Sequence, residues 1–140
     1  MYTPHDETQA WLGAFLTEHG GVAGTVHVDR DGDLYLTAAK NIPPPVVATV
    51  AHVVHGKGMA GVAQTSKLPA QTCNLQTDDT GRIKPGAKAV SAQAAVALPV
   101  LDAAGRVTAV VGIAFAAEGD LPPEQVDRLM ASAATVPRST

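Results

Sequence analysis

Residues 94–101 (AAVALPVL) and 107–116 (VTAVVGIAFA) are two nearly continuous apolar runs joined by Asp102-Ala103-Ala104-Gly105-Arg106. A strand without polar alternation has both faces covered, and so short a joint sets the two strands side by side in antiparallel pairing. A second hairpin precedes them. Residues 22–28 and 34–38 are β-branched and alternating, and Asp29-Arg30-Asp31-Gly32-Asp33 between them carries an Asp-Gly turn pair. Strands that arrive in adjacent pairs, instead of alternating singly with helices, disfavour a doubly wound parallel sheet. They predict an α+β fold with one antiparallel sheet.

Helices flank these hairpins. Between Asp6 and Glu18, Ala10, Trp11, Ala14 and Phe15 recur at three- and four-residue steps before Gly20-Gly21, which predicts an amphipathic helix. Pro43-Pro44-Pro45 leads into a second helix, in which Val46, Val47, Val50, Val53 and Val54 keep a helical period up to His55-Gly56. Pro122-Pro123-Glu124 opens the last helix, with Val126, Leu129, Met130 and Ala133 on one face and Pro137 at its end. In between, residues 56–61 are too glycine-rich for an element interior and read as a hinge or ligand-facing loop before a short helix over 59–65. A short strand is expected over 72–77, then a long connection with the turn chemistry of Asp78-Asp79-Thr80-Gly81-Arg82 and Lys84-Pro85-Gly86.

Composition narrows the class. With 140 residues, 46% apolar and 16% charged, one domain spanning 1–140 with a sizeable core is expected. A net charge of −3 and no basic cluster argue against a nucleic-acid surface. No run approaches the roughly 18 apolar residues of a membrane span, and the amino terminus is no export signal, so a cytoplasmic location is expected. Cys73 stands alone, which excludes an intrachain disulfide framework and a four-cysteine zinc site within one chain.

Several stretches resemble GAF domains. Gly56-Lys57-Gly58-Met59-Ala60-Gly61-Val62-Ala63 is similar to the glycine-rich lead into their ligand side, and Ala97-Leu98-Pro99-Val100-Leu101 with Val110-Val111-Gly112-Ile113 resembles their central hairpin. Thr72-Cys73-Asn74-Leu75-Gln76-Thr77-Asp78, with Pro85-Gly86-Ala87-Lys88 after it, is similar to a pattern of small stand-alone bacterial GAF proteins. The resemblance implies a GAF/profilin-like α+β fold: a central antiparallel sheet of five to six strands, terminal helices on one face, and a small-molecule pocket roofed by loops on the other. It also implies a homodimer formed through the terminal helices. Residues 21–32 resemble the first hairpin of roadblock-type scaffold domains, but the long insert from Leu75 to Val90 fits a GAF domain better.

Each chemistry-bearing residue has two readings. Cys73, beside Thr72, Asn74 and Gln76, is either a pocket or redox thiol or a small buried apolar residue. A branch of GAF-like proteins reduces free methionine sulfoxide with several cysteines, so the resemblance raises a thiol-dependent oxidoreductase centred on Cys73. With one cysteine, only an external thiol or a second subunit completes that cycle. His52 and His55, three apart on the expected second helix, give a weak metal pair that Cys73 extends to three ligands, against the plainer reading of a solvated helix face. His5, His19 and His27 receive no role. Gly56, Gly58 and Gly61 lack the Lys-Ser/Thr pair of a phosphate loop, which argues against nucleotide hydrolysis. Asn74, Gln76, Thr77, Asp78 and Asp79, with Lys88 beyond, are either pocket groups for a small polar ligand or ordinary loop residues. An aromatic content of 4% argues against a tetrapyrrole pocket.

The expectation is a sensor or regulatory module acting in trans rather than an enzyme. Its ligand site is drawn from Gly58, Met59, Thr72, Cys73, Asn74, Gln76, Asp78 and Lys88. The sequence names no cofactor and no ligand. The alternatives are the Cys73 reductase and a ligand-free roadblock-type dimerisation scaffold.

Overall fold

Helix α1 (Asp6–His19) starts at His5, whose Nδ1 accepts from the Thr8 amide and from the Thr8 hydroxyl at 2.7 Å, so this histidine is a cap. A computed structural model describes residues 4–72, 94–116 and 121–137. Its strands are β1 (Ala23–Arg30), β2 (Asp33–Lys40), β3 (His52–Val53), β4 (Ala70–Thr72), β5 (Ala94–Leu101) and β6 (Val107–Phe115). They form one antiparallel sheet in the order β3-β2-β1-β6-β5-β4. The apolar hairpin β5–β6 therefore abuts the amino-terminal hairpin through β1 and β6, as its two-sided burial requires.

Helices α1 and α4 (Pro123–Ala133) cover one face of the sheet. There Leu12, Phe15 and Leu16 of α1 and Leu129 and Ala133 of α4 pack on Val26, Val96, Leu98, Val111 and Ile113. The buried stripe of α1 differs from the sequence expectation. Leu12 and Leu16 carry it, whereas Ala10 and Ala14 are exposed, because the sheet selects the longer side chains that reach its apolar ridge. Trp11 stacks on Phe15 at 4.8 Å, and its indole N–H donates to Thr135 Oγ1 at 3.0 Å, tying α1 to the end of α4.

The opposite face carries α3 (Gly58–Ser66), whose Ala63 lies among Leu34, Val53, Ala70, Ala97 and Val110. A β-bulge makes this face continuous in β2. Val26 pairs with Ala38 but His27 pairs with Leu36, so Thr37 is the extra residue. The slip turns Ala38 toward the helices although Leu34 faces α3, in keeping with the two-residue side-chain period. The bulged Thr37 carbonyl accepts from His5 N at 2.8 Å, which anchors the start of α1.

The second helix is shorter than its valine period predicts. Helix α2 (Pro44–Val50) ends six residues before Gly56, and His52–Val53 forms β3. Long-range partners take the groups the helix needs to continue. The Val50 carbonyl accepts from His27 Nε2 at 2.9 Å, the Ala51 carbonyl from Leu36 N at 2.9 Å, and His55 N donates to Asp33 Oδ1 at 3.1 Å. Valines tolerate either state, so tertiary pairing decides. Among the described residues, no helix is long and apolar enough to cross a membrane.

Candidate functional site

On the α3 face, the middle of the sheet is floored by small side chains. Ala23, Ala114 and Ala95 form one row across β1, β6 and β5, and Thr25, Gly112 and Ala97 form the next. The larger neighbours Val26, Val96, Val111 and Ile113 point into the helical core on the other face, as strand alternation dictates. The third row, His27 with Val110, rises as a wall. Met59 and Ala60 of α3 and Ile42 lie over the floor. The result is a hollow of about 140 Å³ whose lining, among the described residues, is almost wholly apolar.

Among the described residues, two polar side chains face it. His27 is only 4% exposed and donates from Nε2 to the Val50 carbonyl, which couples the wall to the end of α2. Thr25 sets its hydroxyl over Gly112, where a Cβ would meet Oγ1 at 2.8 Å. The glycine-rich segment holds the roof in place. Gly56 and Gly58 adopt φ +79° and +65°, and α3 approaches so closely that a Cβ on Gly61 would lie 2.3 Å from the Gly56 carbonyl carbon.

Beyond the hollow, a polar knot pins α3 to the β1–β2 turn. Gln64, 4% exposed, donates from Nε2 to Asp29 Oδ2 at 2.8 Å and to the Gly32 carbonyl at 2.7 Å, and its Oε1 accepts from Gly56 N at 3.3 Å. Next to it, His52 Nε2 lies 2.7 Å from Asp33 Oδ2, and His55 Nδ1 donates to the Gly32 carbonyl at 2.8 Å. The His52 imidazole stacks flat on Tyr35 at 4.7 Å. The hydrogen bond from His52, and then the His55 amide, hold the Asp33 carboxyl below its ordinary value of 3.8.

That direction fixes the sign of a pH effect. The stability contributed by ionised Asp33 is present above its unfolded value and is lost as pH falls through the lower folded one. Asp33→Asn is therefore expected to narrow the gap between urea midpoints measured at about pH 5 and about pH 2.5. An unchanged gap would show that the contact contributes nothing.

The sequence-derived site is only partly assembled here. Met59 lines the hollow, and Gly58 opens the helix that carries it. Thr72 ends β4, paired with the lining residue Ala95. Cys73, Asn74, Gln76, Asp78 and Lys88 lie outside the described residues. The metal pair does not form as expected. His52 sits on a sheet edge and His55 in the turn after it, not on one helix, and both are committed to the β1–β2 turn. Among the described residues, no group of three or more His, Cys, Asp or Glu can hold a metal ion.

No protein-family model matches the sequence. No curated protein matches it either. Solved structures do match in three dimensions. The GAF domain of an Acinetobacter phosphoenolpyruvate-protein phosphotransferase superposes with TM-score 0.71 at 12% identity, covering 96% of this chain and 79% of that one. The GAF domain region of a putative membrane protein from Geobacter sulfurreducens gives 0.73 at 12% identity, covering 94% and 90%. This chain has the GAF fold. A type II free methionine-R-sulfoxide reductase from Thermoplasma acidophilum is similar as well, with TM-score 0.71 at 15% identity over 91% of this chain and 85% of that one.

In this GAF fold, the floor and the wall of the hollow are built from residues not expected at the site from the sequence. The signal was present as small residues at alternate positions, 23 and 25, 95 and 97, 112 and 114, each flanked by a large apolar neighbour. His27 continues the first series, on the same side of β1 as Ala23 and Thr25.

Proposed function

We propose that this GAF domain binds a small molecule between the sheet and α3 and acts as a sensor or regulatory module. The hollow carries the proposal: two rows of small side chains leave an apolar recess beneath a helix, a concave apolar surface of the kind small molecules occupy. Its wall and roof are joined to other elements by single side chains, His27 to α2 and Gln64 to the β1–β2 turn. A ligand touching Met59 and His27 would shift the population of α3 and α2 arrangements, and a partner protein or a second copy docked on α1 and α4 would read the change through the sheet. We assign the domain to the cytoplasm and expect a homodimer.

A metabolite screen by thermal unfolding tests this. A ligand raises the melting temperature of the wild type, and Ala60→Leu, which fills the hollow, abolishes the rise. Absence of any response would favour the scaffold reading.

The fold likeness to the Thermoplasma reductase, and a β4 that pairs with lining residues up to Thr72, favour a second reading in which Cys73 is a reductant of a small sulfoxide. That reading requires Cys73 to alkylate rapidly below the ordinary thiol pKa, and Cys73→Ser to abolish turnover with an external thiol while folding is kept. Slow alkylation with the pH profile of an ordinary thiol would eliminate it.

A further inference from the structure

We propose that the hollow admits an uncharged apolar group about the size of a six-membered ring or a branched aliphatic side chain, and rejects carboxylate and phosphate at that depth. The inference rests on the small-molecule function proposed above and specifies the chemistry of its buried end. Size comes first. At about 140 Å³, the hollow is close to the roughly 150 Å³ apolar cavity that takes benzene in an engineered protein. Purine nucleotides and bilins are far larger.

Charge comes next. Among the described residues, no Asp, Glu, Lys or Arg lines the hollow. The floor is alanine methyls and the Gly112 backbone, whose amide and carbonyl groups lie within a strand paired on both sides. His27 directs its Nε2 proton to the Val50 carbonyl, away from an incoming anion. An ionised group placed here would exchange water for an apolar floor and, among the described residues, meet no Asp, Glu, Lys or Arg, so the neutral ligand is preferred. The Thr25 hydroxyl, which fills the space over Gly112, offers one neutral hydrogen-bonding group at the floor. Met59 gives the roof a flexible thioether that moulds to rings of slightly different outline.

Toluene and benzoate differ in charge more than in shape, which makes them the probes. Methyl NMR titration of the full chain is expected to show toluene shifting the Ala95, Ala97 and Ala114 methyls, with benzoate at least about 100-fold weaker. Ala60→Leu is expected to lose the toluene response. Met59→Ala is expected to keep it and to accept naphthalene, which the wild type excludes. Benzoate binding at the same methyls as tightly as toluene would overturn the ligand chemistry and leave the pocket itself standing. If neither probe shifted those methyls in the wild type or in Met59→Ala, both the ligand chemistry and the small-molecule function would fall.

Discussion

Gly61→Ala is expected to lower the stability of this GAF fold by about 3 kcal/mol. The added Cβ would meet backbone, lying 2.3 Å from the Gly56 carbonyl carbon and 2.8 Å from its Cα, so no side chain can swing aside to make room. Alanine's better helix propensity returns only about 1 kcal/mol. Either α3 lifts from the loop, taking Met59 and Ala60 off the hollow, or the loop leaves the positive φ at Gly56 and Gly58. The same change at Gly13, where a Cβ within α1 would meet only Lys40 Nζ at 3.9 Å, is expected to stabilise by about 0.5–1 kcal/mol. Urea unfolding of the two variants side by side checks both signs. A Gly61→Ala midpoint equal to the wild type would mean that α3 does not pack as described.

Gln64→Glu is expected to destabilise by a similar amount at neutral pH, about 2–4 kcal/mol. The substitution keeps the shape but replaces the donor that faces Asp29 Oδ2 and the Gly32 carbonyl with an acceptor. The introduced carboxyl, set beside the Asp29 carboxylate, would have its folded pKa raised above its unfolded value. Its protonated form is then the compatible one, so stability is retained below the unfolded pKa and lost as pH rises through the folded pKa. Gln64→Leu, which removes the donor without adding charge, leaves the Gly56 amide and two acceptors short of a partner and introduces no titrating group of its own. Unfolding of both variants at about pH 4 and about pH 7 separates the two effects. If Gln64→Glu were as stable at the higher pH as at the lower, the knot between α3 and the β1–β2 turn would be in doubt.

The elements read correctly from sequence are those whose local pattern and tertiary environment agree. The β5–β6 hairpin is apolar on both faces and is buried on both, and α4 places Leu129 and Ala133 where its period puts them. The valines from 46 to 54 suit a helix or a strand equally. What ends α2 at Val50 lies far away in sequence, in the His27 and Asp33 side chains and the Leu36 amide, and no local window contains it. The placement of His52 and His55 on one helix face differs for the same reason, since it assumed the longer helix. The hollow was legible as an alternation of small residues, but alanine also permits close packing. Only the cross-strand register of Ala23 with Ala114 and Ala95, and of Thr25 with Gly112 and Ala97, shows that the small positions coincide.

The space beneath α3 is proposed as a ligand site. Native mass spectrometry of the protein purified from its own host, compared with its denatured mass and with Ala60→Leu prepared in parallel, tests it most directly. The expected result is a non-covalent small-molecule adduct on the wild type that disappears on denaturation and is missing from Ala60→Leu. An adduct that persists unchanged in Ala60→Leu, or no adduct on either protein, would contradict it.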